Sequence, residues 1–283
     1  MTAAASMAGA PGPDGLSIRD IRAGYGAREV LRGVSPHALP PGRITAVLGP
    51  NGCGKSTLLR TLAGLMPLRH GAIAWEGRDL AALPPADRSA LVAYMPQDLP
   101  DAVHLRVLEA VVAAARARSG RLGGRADVEA AQALLARLDI GHLAMRHLDE
   151  LSGGQRQLAG LALALVQQPR VLLLDEPLSA LDLRHQFEVM ELLARETRER
   201  RLVTLMATHD LAIALRHAEH AVLLHDGSLA AEGAPADVLR PAMLADVYGV
   251  RGRVGRTDVG TPYVVIEGLN EAPDPHRADG PGT

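Results

Sequence analysis

Between residues 16 and 48 short apolar runs alternate with glycine and proline. "LSIRDIRAGY", "EVLRGVS" and "RITAVLG" predict three strands, the last leading straight into a glycine-rich loop. Beyond that loop "KSTLLRTLAGL" has helical spacing, and "GAIAWEGRDL" predicts a short hairpin. "PPADRSA" predicts a helical turn opened by proline, and "LVAYMPQ" a strand stopped at Pro96. From Leu105 to Leu138 the pattern changes to alanine- and leucine-rich helix broken at "SGRLGGRAD", which predicts an all-helical insertion. "GGQRQLAGLALALVQQ" predicts another helix, ended by Pro169, and "VLLLDE" is a continuous apolar strand of the kind that a parallel sheet buries on both faces. A long helix ("LDLRHQFEVMELLARETRER"), a strand ("LVTLMATH"), a helix ("DLAIALRHA") and a hairpin ("HAVLLHDGSLAAEG") follow. Strands alternating with helices, with a glycine loop at a strand's carboxyl end, predict a wound α/β sheet. No internal repeat is visible, so the chain carries one such unit.

Composition narrows the classes. At 283 residues, 47% hydrophobic and 22% charged, the chain has the balance of a soluble globular protein able to bury a sizeable core. A formal charge of −2 and 2% aromatic residues give neither a basic footprint nor rings for base stacking, which argues against nucleic acid as the main partner. A single cysteine excludes an internal disulfide and a thiolate zinc cluster and fits a reducing, cytoplasmic compartment. The start, "MTAAASMAGAPGPDG", lacks a basic n-region and a sustained apolar h-region, so residues 1–14 read as a flexible start. The longest strongly apolar stretch, "LAGLALALV", is about half of the roughly 20 residues a membrane span needs. A membrane role is therefore expected to be peripheral. The polar, Pro/Gly-rich "NEAPDPHRADGPGT" is expected to be disordered, from about residue 269 of an extension covering 251–283.

The chain has 30 basic side chains, and Lys55 is its single lysine. It stands in "GPNGCGKST", Gly49 to Thr57, which fits G-x-x-x-x-G-K-[ST] with an apolar strand before it and a helix after it. Gly49, Gly52 and Gly54 let consecutive amides of the loop, which also contains Pro50, Asn51 and Cys53, face an anion. The helix starting near Lys55 adds its positive dipole end. Lys55 reaches β and γ phosphate oxygens as a compact charge on a flexible stem, whereas a planar guanidinium is too wide for an enclosed slot. Ser56 would place its hydroxyl on Mg²⁺. The bland alternative is a glycine-rich strand-to-helix turn without a ligand. Cys53 reads as a small filler, or as a thiol whose pKa the helix N-terminus lowers.

"LDELSGGQRQ", Leu148 to Gln157, puts a second anion site at a helix start: Ser152 offers a hydroxyl, Gly153 and Gly154 their amides. The competing reading is a plain serine helix cap. In "VLLLDE", Asp175 and Glu176 leave the end of a buried strand together. With "GPNGCGKST", "LSGGQ" and "VLLLDEP", the chain resembles the ATP-binding cassette subunits of ABC transporters from Leu16 to about Val250.

That resemblance implies an α/β P-loop NTPase (RecA-like) core with an antiparallel β subdomain and an all-helical insertion, the ABC ATPase fold. Residues 15–250 would form the ATPase domain, with the helical subdomain at about 98–168. It also implies ATP and Mg²⁺ as ligands, and a head-to-tail dimer in which the signature of one subunit (Ser152, Gly153, Gly154, Gln155) covers the γ-phosphate bound to the other. Asp175 matches the family's magnesium-supporting residue and Glu176 its general base. Asp182 in "SALD" marks the loop that crosses the dimer interface, and His209 in "MATHD" resembles the switch histidine at the γ-phosphate. Gln97 in "YMPQD" resembles the glutamine that contacts Mg²⁺ and water where the chain meets a membrane partner. Tyr25 in "AGYGAR" matches the aromatic that stacks on adenine, although a lone tyrosine near a turn is often simply packing.

"SALDLRHQ", "LADVYGV" and "GTPYVV" are similar to the subfamily that energises import of iron siderophores, haem or cobalamin. "LAGLALAL" departs from the more polar sequence that often follows the signature there. The function so implied is an ATPase subunit at the cytoplasmic face of the inner membrane, driving a separate permease and indirectly served by a substrate-binding protein. The rivals are a soluble ABC ATPase of translation or DNA repair and a nucleotide-dependent scaffold that does not hydrolyse ATP.

Overall fold

The computed structural model describes residues 15–99, 104–119 and 124–270. The expectations for residues 1–14 and for the tail beyond 270 fall outside the described residues. The first three predicted strands form as β1 (Leu16–Tyr25), β2 (Arg28–Val34) and β3 (Arg43–Leu48), and the glycine loop leads into α1 (Lys55–Ala63). Then come the hairpin β4 (His70–Trp75) and β5 (Arg78–Asp79), the short helix α2 (Pro85–Leu91) and β6 (Val92–Met95). The helical insertion consists of α3 (Val107–Ser119), α4 (Arg125–Arg137) and α5 (Gly153–Val166), with 3-10 turns at Gly141–Leu143 and Leu148–Glu150. The remaining elements are β7 (Val171–Asp175), α6 (Leu183–Glu199), β8 (Val203–Ala207), α7 (Leu211–His217), β9 (His220–His225) and β10 (Ser228–Gly233). After them come α8 (Pro235–Val238), α9 (Pro241–Tyr248), β11 (Val250–Arg256) and β12 (Pro262–Leu269).

The central sheet has six strands in the order β10-β9-β3-β8-β7-β6. Every pairing in it is parallel except that of β10 with β9. A second, antiparallel sheet runs β2-β1-β4-β5. Side chains alternate across a strand, so each apolar strand serves two cores. Val47, Leu173 and Leu205 face α1 (Leu58, Leu59, Leu62), and α1 in turn packs under Ile18, Leu31 and Ile73 of the second sheet. Leu172, Leu174 and Met206 face the other way, onto Leu161 and Leu165 of α5 and Met190 and Leu193 of α6. The helix behind the glycine loop is thereby held between two sheets, and the loop inherits their rigidity.

Two features of this frame carry no sequence signal. Glu196 of α6 is buried and pairs with Arg137 at the end of α4 and with Arg200 at 2.9 Å, clamping the helical insertion to the core. Burial pushes its carboxyl up, but the bonds to Arg200 and Arg137 outweigh that and hold it below the ordinary glutamate value. The extension after residue 250 is ordered at its start: β11 and β12 pair antiparallel, and Val250, Val254 and Val264 pack on the cluster around Leu215, Leu244 and Val247. Among the described residues no helix is long and apolar enough to cross a membrane.

Candidate functional site

The loop between β3 and α1 depends on glycine. Gly49 has φ of 140°, and a Cβ there would meet the Leu224 carbonyl oxygen at 2.3 Å and Cys53 Sγ at 2.6 Å. Gly54, at φ of 111°, caps α1 without any side-chain bond, so the amides of the first turn keep their donors for a ligand. Lys55 is buried, and its Nζ donates to the carbonyls of Gly49 at 2.8 Å and Pro50 at 3.0 Å. The ammonium thus lies back across its own loop, within reach of whatever the loop holds. Cys53 is buried too, and burial raises its thiol pKa, the direction opposite to that of an activated thiol.

The strand ends supply the acids. Asp175 closes β7, where Ser56 Oγ donates to Oδ1 at 2.9 Å and Tyr94 OH donates to Oδ2 at 3.1 Å. Burial raises the Asp175 pKa against these two bonds. Arg60 Nε donates to Tyr94 OH at 3.3 Å, and Arg60 Nη1 to Tyr25 OH at 3.2 Å. A continuous polar chain therefore runs from Tyr25 to Ser56 through Arg60, Tyr94 and Asp175. Burial, opposed by the Arg60 bond, pushes the Tyr94 phenol up to about 12, so it stays protonated and donating. Glu176 sits in the left-handed region at φ of 49°, a conformation that costs a non-glycine residue energy and aims its side chain off the strand's line. Its amide donates to the Ala207 carbonyl at 3.1 Å, and its Oε2 lies 3.3 Å from His209 Nδ1. Asp210 caps α7 by accepting from the Ala212 and Ile213 amides, which fixes the turn that carries His209.

An open cavity of about 690 Å³ is lined by Tyr25, Lys55, Ser56, Gln97, Glu176 and His209, with Asn51, Gly52, Gly54 and Thr57 along the loop. The other predicted residues do not reach it. Ser152 caps α5: its Oγ accepts from the Gln155 amide at 3.4 Å, while Gln155 Oε1 accepts from the Ser152 amide at 3.2 Å. Ser152 and Gly153 are exposed. Gly154 is needed for close approach as well, since a Cβ there would stand 2.9 Å from the Ala180 carbonyl oxygen. Asp182 caps α6 at the surface, and bonds from the His185 amide and ring hold its carboxyl below the ordinary value.

Three contributing residues went unnoticed in the sequence: Tyr94, Arg60 and Gln157. Gln157 is buried in α5, and its Nε2 donates to the Glu176 carbonyl at 3.0 Å and to Ser179 Oγ at 2.7 Å. Its Oε1 accepts from the Ala180 amide at 3.0 Å. The available signal was a glutamine at a helix position followed by an unbroken apolar face. Gln97 lines a smaller cavity of about 270 Å³ as well, shared with Arg156, Gln157 and Ala180, and so stands on the border between the large pocket and α5.

Comparison with known proteins adds the family. Residues 34–179 match the family model described as ABC transporter. The ferric enterobactin transport ATP-binding protein of Escherichia coli (strain K12) is 37% identical over 254 residues, covering 88% of this chain and 93% of its own length. The hemin import ATP-binding protein of Bordetella avium (strain 197N) is 39% identical over 247 residues, covering 84% and 94%. Among solved structures, a chain of an inward-facing ABC transporter described as of metal-chelate type superposes with a TM-score of 0.75 at 27% identity, over 90% of this chain and 97% of that one. A nucleotide-free ATP-binding cassette gives 0.69 at 26% identity, over 77% and 90%. The chain belongs to the ABC transporter family, as an ATP-binding subunit.

Proposed function

We propose that this ATP-binding subunit hydrolyses ATP in the cavity beside Lys55 and thereby drives a separate membrane permease that imports an iron-siderophore, haem or cobalamin-type cargo. The observation that carries the reading is the division of residues. Lys55, Ser56, Gln97, Glu176 and His209 share one cavity, while the signature serine at the start of α5 faces solvent outside it. A pocket with one wall missing fits a second copy that supplies Ser152, Gly153, Gly154 and Gln155 from the far side, with Asp182 and its loop between the two. The relatives named above, a ferric enterobactin transporter subunit and a hemin importer subunit, support the cargo class.

In this reading Tyr25 carries the adenine face, and the amides from Gly49 to Thr57, with Pro50, Asn51, Gly52, Cys53 and Gly54 between them, wrap the phosphates. Lys55 leaves its two carbonyl partners for the β and γ oxygens. The Ser56 hydroxyl, the Asp175 carboxylate and the Gln97 amide form an all-oxygen set that suits a hard cation, and their hydroxyl and carboxylate already touch. Mg²⁺ held there would offset charge on the γ-phosphate. Glu176 Oε takes a proton from the attacking water, and the bond from the γ-phosphorus to its bridging oxygen breaks, leaving ADP and phosphate. His209, next to Glu176, donates toward the γ-phosphate and keeps the carboxylate turned to the water.

The subunit itself would sit at the cytoplasmic face of the inner membrane, held there by the permease. The test is to express tagged Glu176→Gln in its own host, solubilise the membranes with ATP, and identify co-purifying proteins by mass spectrometry. A polytopic membrane protein in stoichiometric amount is the expected result. Recovery with ribosomes or repair proteins overturns the transport reading.

A further inference from the structure

Three side chains with metal-ligating atoms converge where the helical insertion begins, away from the nucleotide cavity: His104, His147 and Asp149. Their ligand atoms all lie within 4.8 Å of one another, the one such trio among the described residues. His104 Nδ1 and Asp149 Oδ2 are 3.0 Å apart. The two imidazoles stack face to face, with centroids 3.9 Å apart and planes 9° from parallel.

The backbone brings them together. The Leu148 amide donates to the Leu105 carbonyl and the Val107 amide to the Arg146 carbonyl, each at 3.0 Å, and Arg106 bridges His147 antiparallel. Other surface histidines, such as His70 beside Asp20 and His37 beside Glu232, belong to no trio this close among the described residues.

We propose that His104, His147 and Asp149 bind a divalent transition-metal ion, of which Zn²⁺ is the representative. Two imidazole nitrogens with one carboxylate suit zinc and its neighbours, whereas Mg²⁺ and Ca²⁺ prefer all-oxygen sets. Metal–nitrogen and metal–oxygen bonds of about 2.0–2.2 Å place ligand atoms of a tetrahedral site roughly 3.3 Å apart, so the trio closes by roughly 1.5 Å at most, and because an imidazole binds a metal in the plane of its own ring, the exposed His104 ring turns out of the stack as the site closes. His104 and Asp149 are exposed at the surface and have the room to do so. Three protein ligands leave a coordination position to water. The effect on the molecule is a cross-link. His104 precedes α3 and Asp149 precedes Ser152, so the ion fastens the segment before α3 to the 3-10 turn before α5.

The experiment uses the full chain without nucleotide. Co²⁺ is followed by its visible ligand-field absorption, and Zn²⁺ by competition with a chromophoric chelator. One equivalent of Co²⁺ with a resolved band is expected, and Zn²⁺ should raise the thermal midpoint of the wild type. His147→Gln, His104→Gln and Asp149→Asn should each weaken Zn²⁺ binding by at least about tenfold, because losing even an outer partner of a ligating histidine costs that much. His70→Gln should bind as the wild type does. His104 and Asp149 are surface residues, so their variants keep the test open if His147→Gln fails to fold. Unchanged Zn²⁺ affinity and an unchanged Co²⁺ band in the His104 and Asp149 variants would overturn the assignment. So would binding that is lost equally with His70→Gln.

Discussion

The loop at Gly49 to Thr57 and the start of α5 at Ser152 are made of the same parts: glycines, small hydroxyls and the N-terminus of a helix. They differ in what surrounds them. The first lies between two sheets, has a buried lysine across it and opens into a cavity with Glu176 and His209 at its rim. The second is capped by its own Gln155 and faces solvent. A helix start with free amides is thus common to both, and the environment differs. In the proposed reading the first binds alone and the second binds what another molecule presents.

Substitutions on the two sides should separate accordingly. The largest effect is expected from Glu176→Gln, which removes the proton acceptor and leaves the phosphate contacts: turnover should fall by ~10²-fold or more while ATP still binds. Single-turnover hydrolysis against equilibrium ATP binding measures both, and full turnover in the variant would place the base elsewhere. Next is Lys55→Ala, which should cost roughly 2–5 kcal/mol of ATP affinity, more than about 30-fold in Kd, by removing the buried charge that meets the phosphates. Isothermal titration reads this, and an unchanged Kd would refute the loop assignment. Ser152→Arg belongs to the other side: monomer ATP affinity should stay within about twofold, since exposed sites away from the ligand shift energies by only about 0.5 kcal/mol. The ATP-dependent dimer of Glu176→Gln should vanish when Ser152→Arg is added, as followed by light scattering. Normal dimerisation would end the shared-site reading. The smallest effect is Tyr94→Phe, where losing one hydrogen bond to Asp175 Oδ2, worth about 1 kcal/mol, should raise the Mg²⁺ requirement roughly fivefold. Mg²⁺-free ADP binding should not change in that variant, and an equal loss there would make Tyr94 a packing residue.

The residues that sequence reasoning singled out share a property. Lys55, Ser152, Asp175 and His209 each belong to a contiguous motif whose backbone context, strand end or helix start, can be read locally. The parallel sheet was legible for a similar reason: continuous apolar runs such as "VLLLDE" report burial on both faces. The chain from Tyr25 through Arg60 to Tyr94 was illegible because its members come from three separate elements, and nothing in any one segment marks the others. Gln157 could be seen as a polar residue on an apolar helix face, but its partners at Glu176, Ser179 and Ala180 exist only once β7 and α5 are packed. The β11–β12 hairpin was missed because "VRGRVGR" alternates glycine and arginine where strand patterns normally carry apolar residues. For Cys53 the sequence already favoured a small filler over an activated thiol, and its burial points the same way.

Gln157 joins the carbonyl of Glu176 to the helix that Ser152 caps, so the acid at one end and the serine at the other belong to a single stiff lever. In a head-to-tail pair, each lever has its acid in one pocket and its serine against the nucleotide of the opposite pocket. A shift of the Glu176 backbone during hydrolysis then reaches the other ATP without any intervening loop to absorb it. Two pockets linked in this way report on each other, and turnover plotted against ATP concentration should be sigmoidal, with a Hill coefficient between about 1 and 2.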